Sequence, residues 1–170
     1  MSRAFTKEQD IEDAIVVPPR APLPEGVANY VTPRGDRLLR EERDALEAER
    51  SRWSAADGDP AERKRQIAAL AERLSNLQQR LARTQVVDPK RQTHDVARFG
   101  AHVTLRDADG AERQIQIVGV DEADASEGRV AFTSPIARAV VGSREGDTVT
   151  LEAAGASEAL TVVRIRYEVE

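Results

Sequence analysis

Cysteine is absent from this chain of 170 residues, and aromatic residues make up only 4% of it. The lack of cysteine excludes disulfides, thiolate nucleophiles and zinc sites built from cysteine, and it fits a reducing compartment. No run of residues approaches the roughly 20 apolar positions that a membrane-spanning helix needs, and the opening residues lack the apolar core of a signal peptide. We therefore expect a cytoplasmic protein with a small aliphatic core and no association with membranes.

The charge balance and the missing motifs argue against most classes of enzyme and of nucleic-acid-binding protein. The formal net charge is −5, whereas proteins that bind free nucleic acid usually present a basic stripe or stacking aromatic residues. The sequence contains no glycine-rich phosphate loop, no serine or cysteine nucleophile motif and no zinc signature. His94 and His102 have no partner at metal-ligand spacing. An enzyme with its own active site is thus the less favoured interpretation.

The strongest pattern in the sequence is a pair of heptad-like apolar stripes on either side of a short acidic turn. The Thr32–Pro33 pair is an N-cap followed by proline at the first helical position, and the Asp59–Pro60 pair repeats this helix start. The first helix is predicted to end near residue 56 and the second near residue 84. Because so few residues join them, the helices must fold back on each other to bury their stripes. We predict an antiparallel coiled-coil arm over residues 31–88 with carboxylates at its tip. The stripes are Leu39, Leu46 and Trp53 in the first helix, and Ile67, Leu70, Leu74, Leu77 and Leu81 in the second.

Beyond residue 88 the hydrophobic period changes from helical to two, which is typical of β-strands. These segments predict an antiparallel sheet, and Ser134–Gly142 predicts one short helix with proline in front and glycine behind. The predicted fold class is α+β, a helical hairpin followed by a sheet domain over residues 96–170. Residues 1–30 hold four prolines amid mixed charge and are predicted to be a flexible leader. The strand segments are residues 102–106, 113–118, 129–132, 148–152 and 159–165.

Five short phrases along the chain share their order with one known protein family. Tyr30–Gly35 and Gln85–Asp88 stand at the entry and exit of the predicted arm. Ile115–Asp124, Thr133–Gly142 and Gly146–Asp147 lie in the predicted sheet domain. In these phrases the sequence resembles the Gre (GreA/GreB) transcript-cleavage and transcription elongation factors, as a short-armed member.

The resemblance implies a function as well as a fold. Gre factors dock an FKBP-like C-terminal domain on the rim of the RNA polymerase secondary channel, and their coiled-coil arm passes down that channel. Two acidic residues at the tip help to hold a second Mg²⁺ at the polymerase active centre, so that the polymerase hydrolyses backtracked RNA. The resemblance therefore implies RNA polymerase as the partner, indirect contact with the RNA 3′ end, and Mg²⁺ shared with the polymerase rather than bound alone. The docking residues that it implies are Ser134, Pro135, Ile136 and Arg138. The acidic loop over residues 121–124, with Asp121 and Glu122, lies ahead of them and would suit a basic partner surface.

The predicted tip keeps part of the spacing found in the family. Gly58–Glu62 retains Gly-Asp, two variable residues and Glu. By the resemblance, Asp59 and Glu62, with Asp57 beside them, are the residues that support Mg²⁺, a hard cation that prefers carboxylate oxygens. Asp59 and Glu62 also fit a structural role, because Asp at the N-cap and Glu three residues later stabilise a helix start.

The residues that follow the tip depart from the family pattern. Arg63, Lys64 and Arg65 replace its Asn-Ala-Glu-Tyr type of continuation. These side chains either contact the RNA 3′ end electrostatically or form a solvated helix face. Each helix also lacks roughly one heptad relative to the family, which shortens the arm by about 10 Å at 1.5 Å per residue.

Several functions remain open at this point. The spacing of the tip acids, which matches the family pattern, favours stimulation of RNA cleavage, whereas the short arm and altered tip slightly favour occupancy of the channel without cleavage. A regulator of nucleoside diphosphate kinase type is a related, short-armed alternative. A prolyl isomerase is disfavoured, because Phe99, Phe132 and Tyr167 are too few to line an aromatic pocket. We expect a monomer, since a self-paired hairpin leaves little exposed seam.

Overall fold

The computed structural model describes residues 14–168, which fall into two compact units. Among these residues, the helical unit holds 14–20 and 38–82, and the sheet unit holds 21–37 and 83–168. Residues 1–13 of the predicted leader lie outside the described residues. In chain order the elements are β1 (Asn29–Val31), α1 (Pro33–Ala55), α2 (Pro60–Ala82), β2 (Thr84–Val86), β3 (His102–Arg106), β4 (Glu112–Val118), β5 (Arg129–Ala131), α3 (Pro135–Val140), β6 (Thr148–Ala153) and β7 (Ala156–Arg166).

The helical hairpin forms along the two predicted leucine stripes. Both helices begin at the predicted prolines and end within two residues of the predicted positions. Leu46, Leu70 and Leu74 are each 3% exposed, and Leu77 is completely buried. Burial of one leucine side chain stabilises a fold by about 1.5–3 kcal/mol, so this apolar seam holds the helices together. None of the helices that the structure describes has the length and apolar content needed to cross a bilayer.

A bidentate ion pair joins Arg20 of the predicted leader to the helical unit. Both terminal nitrogens of Arg20 donate to the carboxylate of Glu42 on α1, each over 2.9 Å. The hydrogen bond from Arg20 lowers the pKa of Glu42, although partial burial acts in the opposite direction. Nearer the N-terminus, Ala14 and Ile15 line a groove of about 320 Å³ together with residues of α2. Residues 14–20 therefore belong to the helical unit and contact both of its helices.

The sheet unit is built on five strands in the order β5-β4-β3-β7-β6. The pairs among β3, β4, β6 and β7 are antiparallel, as predicted. Strand β5 instead runs parallel to β4, because the chain returns through residues 119–128 rather than through a tight turn. The sheet is thus mixed at one edge; the strand itself was predictable, but its direction was not. The strand residues of its hydrophobic core that are at most 1% exposed are Val103, Leu105, Ile117, Leu160 and Val162.

Helix α3 packs on the sheet core as predicted. Ser134 Oγ accepts a hydrogen bond from the Ala137 amide over 3.3 Å, and Pro135 occupies the first helical position. Ala137 and Val140 are completely buried in the core of the sheet unit. The helix ends before Gly142, whose φ of +89° lies in the left-handed region that glycine adopts without strain.

Strands β1 and β2 form a separate two-stranded parallel ladder. Asn29, which is completely buried, donates from Nδ2 to Thr84 Oγ1 over 3.2 Å. The Arg83 side chain donates to the Val27 carbonyl oxygen over 2.5 Å. These contacts fasten the segment that enters α1 beside the segment that leaves α2, within the sheet unit.

Candidate functional site

The tip of the hairpin is a short turn that Asp59 closes as a helix cap. Asp59 Oδ1 accepts from the Ala61 amide over 3.0 Å, and the Asp59 carbonyl oxygen accepts from the Arg63 amide over 3.0 Å. Asp57 and Asp59 are both exposed. The predicted capping role of Asp59 is therefore confirmed. The cap uses Oδ1, which is one of the two carboxylate oxygens of Asp59.

Glu62 is held by side chains one turn farther along α2. Its Oε1 accepts from Gln66 Nε2 over 2.7 Å, and its Oε2 accepts from Arg65 Nη2 over 2.5 Å. The hydrogen bond from Gln66, followed by that from Arg65, lowers the pKa of Glu62. The carboxylate is therefore ionised at neutral pH, and both of its oxygens already accept a hydrogen bond within α2.

The three basic residues after the tip have different environments. Arg63 Nη1 donates to the Ala56 carbonyl oxygen over 2.9 Å and so fastens the two ends of the turn. Arg65 binds Glu62, while Lys64 is exposed and lines the groove that also contains Ile15 of the leader. The predicted basic triplet is thus not a uniform face, and Lys64 is its most exposed cation.

The tip carboxylates do not form a complete metal site by themselves. Across residues 14–168, no group of three or more His, Asp or Glu side chains is placed to hold a metal ion. Mg²⁺ in proteins is often bound through one or two carboxylates together with substrate phosphates and water. The role of Asp59 and Glu62 toward a shared Mg²⁺ therefore stays a prediction.

The docking residues predicted on and before α3 are partly accessible. Pro135 and Arg138 are exposed, and Ile136 is half-buried against the core. Ser134 is the helix cap, so its hydroxyl oxygen is already engaged. The face of α3 that remains for a partner is therefore formed mainly by Pro135, Ile136 and Arg138.

An aromatic cluster that the sequence did not predict lies in the same unit. The ring centroids of Tyr30 and Phe132 are 5.6 Å apart, those of Phe99 and Phe132 are 5.8 Å apart, and both pairs are edge-on. Tyr30 is 36% exposed, and the two phenylalanines are half-buried. The alternation in β1, where Val31 is buried and Tyr30 is not, was the only local indication of this surface.

Tyr167, the third aromatic residue considered for an isomerase pocket, has a different role. Its ring stacks on His94 with 4.9 Å between centroids. Its hydroxyl donates to the Val96 carbonyl oxygen over 2.7 Å and accepts from the Arg98 amide over 3.0 Å. Burial raises the pKa of Tyr167. Tyr167 thus fastens the segment that precedes β3 and contributes nothing to the cluster of Tyr30, Phe99 and Phe132.

Glu122 corrects the interpretation of residues 121–124 as an acidic docking loop. Its side chain is only 2% exposed. Its Oε1 accepts from the Thr32 hydroxyl over 2.6 Å and from Arg34 Nη1 over 3.3 Å. Thr32 Oγ1 in turn accepts from the Gly35 amide over 3.1 Å. Glu122 therefore anchors the first turn of α1 inside the sheet unit and is not available to a partner surface; its neighbour Asp121 is half-buried.

Comparison with known proteins places these features in a family. The family model described as the C-terminal part of the transcription elongation factors GreA/GreB matches residues 92–167. The transcription elongation factors GreA of Brucella canis and Brucella melitensis are each 40% identical to the chain over 151 residues. These matches cover 81% of this chain and 96% of each relative.

Solved structures of related factors also match, at lower identity. GreA factor homolog 1 (Gfh1) of Thermus thermophilus is 21% identical, with 82% of this chain and 99% of that chain covered and a TM-score of 0.39. A GreA/GreB factor of Nitrosomonas europaea is 19% identical, with coverage of 81% and 98% and a TM-score of 0.40.

The lengths of the matched regions differ between this chain and the Brucella relatives. Since 81% of 170 residues is about 138, the matched part of this chain is about 13 residues shorter than the 151 positions of the match. With 40% identity over nearly the full length of these relatives, the chain belongs to the GreA/GreB family of transcription elongation factors.

Proposed function

We propose that the chain binds RNA polymerase, enters the secondary channel with its helical hairpin and promotes hydrolysis of backtracked RNA through the tip carboxylates. The observation that carries the proposal is the 40% identity to GreA proteins over 96% of their length. The polymerase supplies the nuclease activity, and the chain acts as an accessory factor.

At the tip, Asp59 and Glu62 would supply oxygen ligands to the Mg²⁺ of the polymerase active centre. Asp59 needs only one carboxylate oxygen for its helix cap, which leaves the second for a ligand. The lowered pKa of Glu62 keeps its carboxylate charged at neutral pH, and loss of the Arg65 contact would release an oxygen. The chemistry that this ion would supply, when held there, is stabilisation of the charge that develops during phosphodiester hydrolysis.

Occupancy of the channel without cleavage is the second candidate. Two features favour it: the arm that the resemblance predicts to be about 10 Å shorter than in the family, and the two internal partners that already bind Glu62. A Mg²⁺ ligand must be placed within about 0.5 Å, so a shorter hairpin with a restrained carboxylate could fill the channel but fail to act at its end.

The two mechanisms are separated by RNA cleavage in stalled, backtracked elongation complexes. If the tip acts on Mg²⁺, the full chain shortens the RNA from its 3′ end, and Asp59→Asn or Glu62→Gln lowers the cleavage rate about tenfold or more. Glu47→Gln, which removes one exposed carboxylate elsewhere on α1, is the matched control and should cleave at the original rate. Full activity of the Asp59→Asn, Glu62→Gln double variant would eliminate the tip mechanism and leave channel occupancy.

For docking, we propose that the exposed residues of α3 and the aromatic cluster together contact the polymerase. Both features lie in the sheet unit, and partly exposed aromatic residues are enriched in protein interfaces. Arg138→Glu should weaken co-purification with core polymerase about tenfold. The control is Arg144→Glu, which reverses another exposed arginine of the same unit. Equal retention of both variants would refute docking through α3.

A further inference from the structure

The sheet carries a polar pocket on the face that points away from its hydrophobic core. In β3 the buried residues Val103 and Leu105 alternate with His102 and Thr104, which are partly exposed. The pocket has a volume of about 130 Å³. The polar residues that line it are His102, Thr104, Gln114, Arg164, Arg166 and Glu168.

Strand register explains why these side chains converge. On β7, Arg166 is the partner of His102, and Arg164 is the partner of Thr104. On the other side, Gln114 of β4 is the partner of Thr104. Directly opposed residues on one face of an antiparallel pair have Cβ atoms about 4.5–5.5 Å apart. Three adjacent strands therefore bring their polar groups to a single patch.

The pocket is rich in hydrogen-bond donors and carries an excess of positive charge. Two arginines face one carboxylate, that of Glu168, which lies 3.7 Å from Arg166. His102 Nε2 is buried and has no hydrogen-bond partner within residues 14–168. A neutral imidazole donates one hydrogen bond, so His102 can add a donor to those of the two arginines that line the pocket.

We propose that this pocket binds one phosphate group of a small ligand, through Arg164, Arg166 and the His102 imidazole. Arginine binds phosphate oxygens through paired N–H groups, and a tetrahedral phosphate can accept from two arginines at once. Pockets for drug-sized molecules measure about 300–1,000 Å³, so a volume of 130 Å³ accommodates the phosphate and leaves the rest of a ligand outside.

A nucleic acid strand fits the same pocket less well than a small phosphate compound. Strand binding depends on many phosphate contacts made together, and the chain has a net charge of −5. Arg106 of β3 and Arg113 of β4 are close in sequence to the pocket residues Thr104 and Gln114. Arg106 is already paired with Glu112, and Arg113 with Glu158. The remaining candidate ligands are inorganic phosphate and the terminal phosphate of a nucleotide. Both would bind through phosphate oxygens.

The test is a ¹⁵N NMR titration of the full chain with sodium phosphate at constant pH and ionic strength, and separately with a nucleoside triphosphate. Either probe should give saturable shifts of amides in β3 and the C-terminal part of β7, and the probe that saturates first identifies the source. Arg164→Gln and Arg166→Gln should each raise the apparent Kd about tenfold. Arg113→Gln, which removes an exposed arginine of the same sheet, should leave the Kd unchanged.

Three results would overturn the phosphate site. One is the absence of saturation with both probes, and another is an equal rise in Kd for Arg113→Gln. The third is a single-stranded oligonucleotide or a polyglutamate peptide that shifts the same amides at lower concentration than either phosphate probe. None of these measurements involves RNA polymerase, so the outcome is independent of the proposed transcription function.

Discussion

Gly35 in the first turn of α1 offers the sharpest test of the buried Glu122 anchor. A Cβ added at this position would lie 2.5 Å from Glu122 Oε2, 2.9 Å from its Cδ and 3.3 Å from Val31 Cβ. Glu122 cannot move aside without loss of its 2.6 Å hydrogen bond from Thr32. Although replacement of glycine by alanine in a helix normally stabilises it by about 0.5–1 kcal/mol, we expect Gly35→Ala to destabilise the protein by about 1–3 kcal/mol through overpacking.

The sign of this effect should reverse once the obstructing side chain is removed. In a Glu122→Ala background the close contacts with the carboxylate are gone, so Gly35→Ala should be neutral or stabilising by about 0.5 kcal/mol. Glu122→Ala alone should cost about 1–3 kcal/mol, because the Thr32 hydroxyl then loses a buried partner. The two substitutions should therefore be non-additive by about 2 kcal/mol.

Urea unfolding of the four proteins, followed by circular dichroism at 222 nm, measures this coupling. Additive effects, or a stabilising Gly35→Ala in the original chain, would show that Glu122 does not pack against the first turn of α1. Glu122→Gln provides a control for charge, since it keeps the volume and the clash. Gly35→Ala should remain destabilising in that background.

The other predictions concern the helical unit and Tyr167. Leu77→Ala, at a completely buried seam position, should lower the free energy of unfolding by about 2–5 kcal/mol, and a smaller loss in urea would show that the seam is loosely packed. Arg20→Glu should speed hydrogen exchange and proteolysis of residues 14–20, and Glu42→Arg added to it should restore protection by re-forming the pair with reversed charges; no restoration would contradict the ion pair. Because the pKa of Glu42 lies below its ordinary value of 4.5, the stability from this pair should be present above pH 4.5 and be lost as pH falls through the folded-state pKa; unchanged protection of residues 14–20 at pH 3 would refute this. Tyr167→Phe should cost about 1–2 kcal/mol in thermal or urea unfolding through loss of its two hydrogen bonds, and a neutral effect would mean that water replaces both partners.

The helices and most strands were predictable, because their determinants are local. Proline at the first helical position, the Asp59 cap and leucines at spacings of three and four fix the helix starts and the seam without reference to the rest of the chain. Period-two alternation does the same for β3, β4, β6 and β7. The direction of β5 was not predictable, since a strand pattern is the same whether its neighbour is parallel or antiparallel.

The environment of the candidate sites depended on contacts distant in sequence. Glu122 and Thr32 are 90 residues apart, and no local pattern shows that an acidic residue in a loop will turn inward to a helix start. Tyr30, Phe99 and Phe132 form a cluster only after β1 joins the sheet unit. The resemblance to the Gre factors located the tip, but it could not show that Glu62 binds Arg65 and Gln66 in the free chain.

The central claim is that the hairpin tip reaches the polymerase active centre, and site-specific photocrosslinking tests it most directly. A photoreactive amino acid in place of Ala61, which is exposed beside Asp59, would be activated in a backtracked elongation complex that carries a labelled RNA 3′ end. We expect a crosslink to the RNA 3′ end or to the active-centre residues of the polymerase. A crosslink from this position only to the outer surface of the polymerase, with the chain still bound, would contradict it.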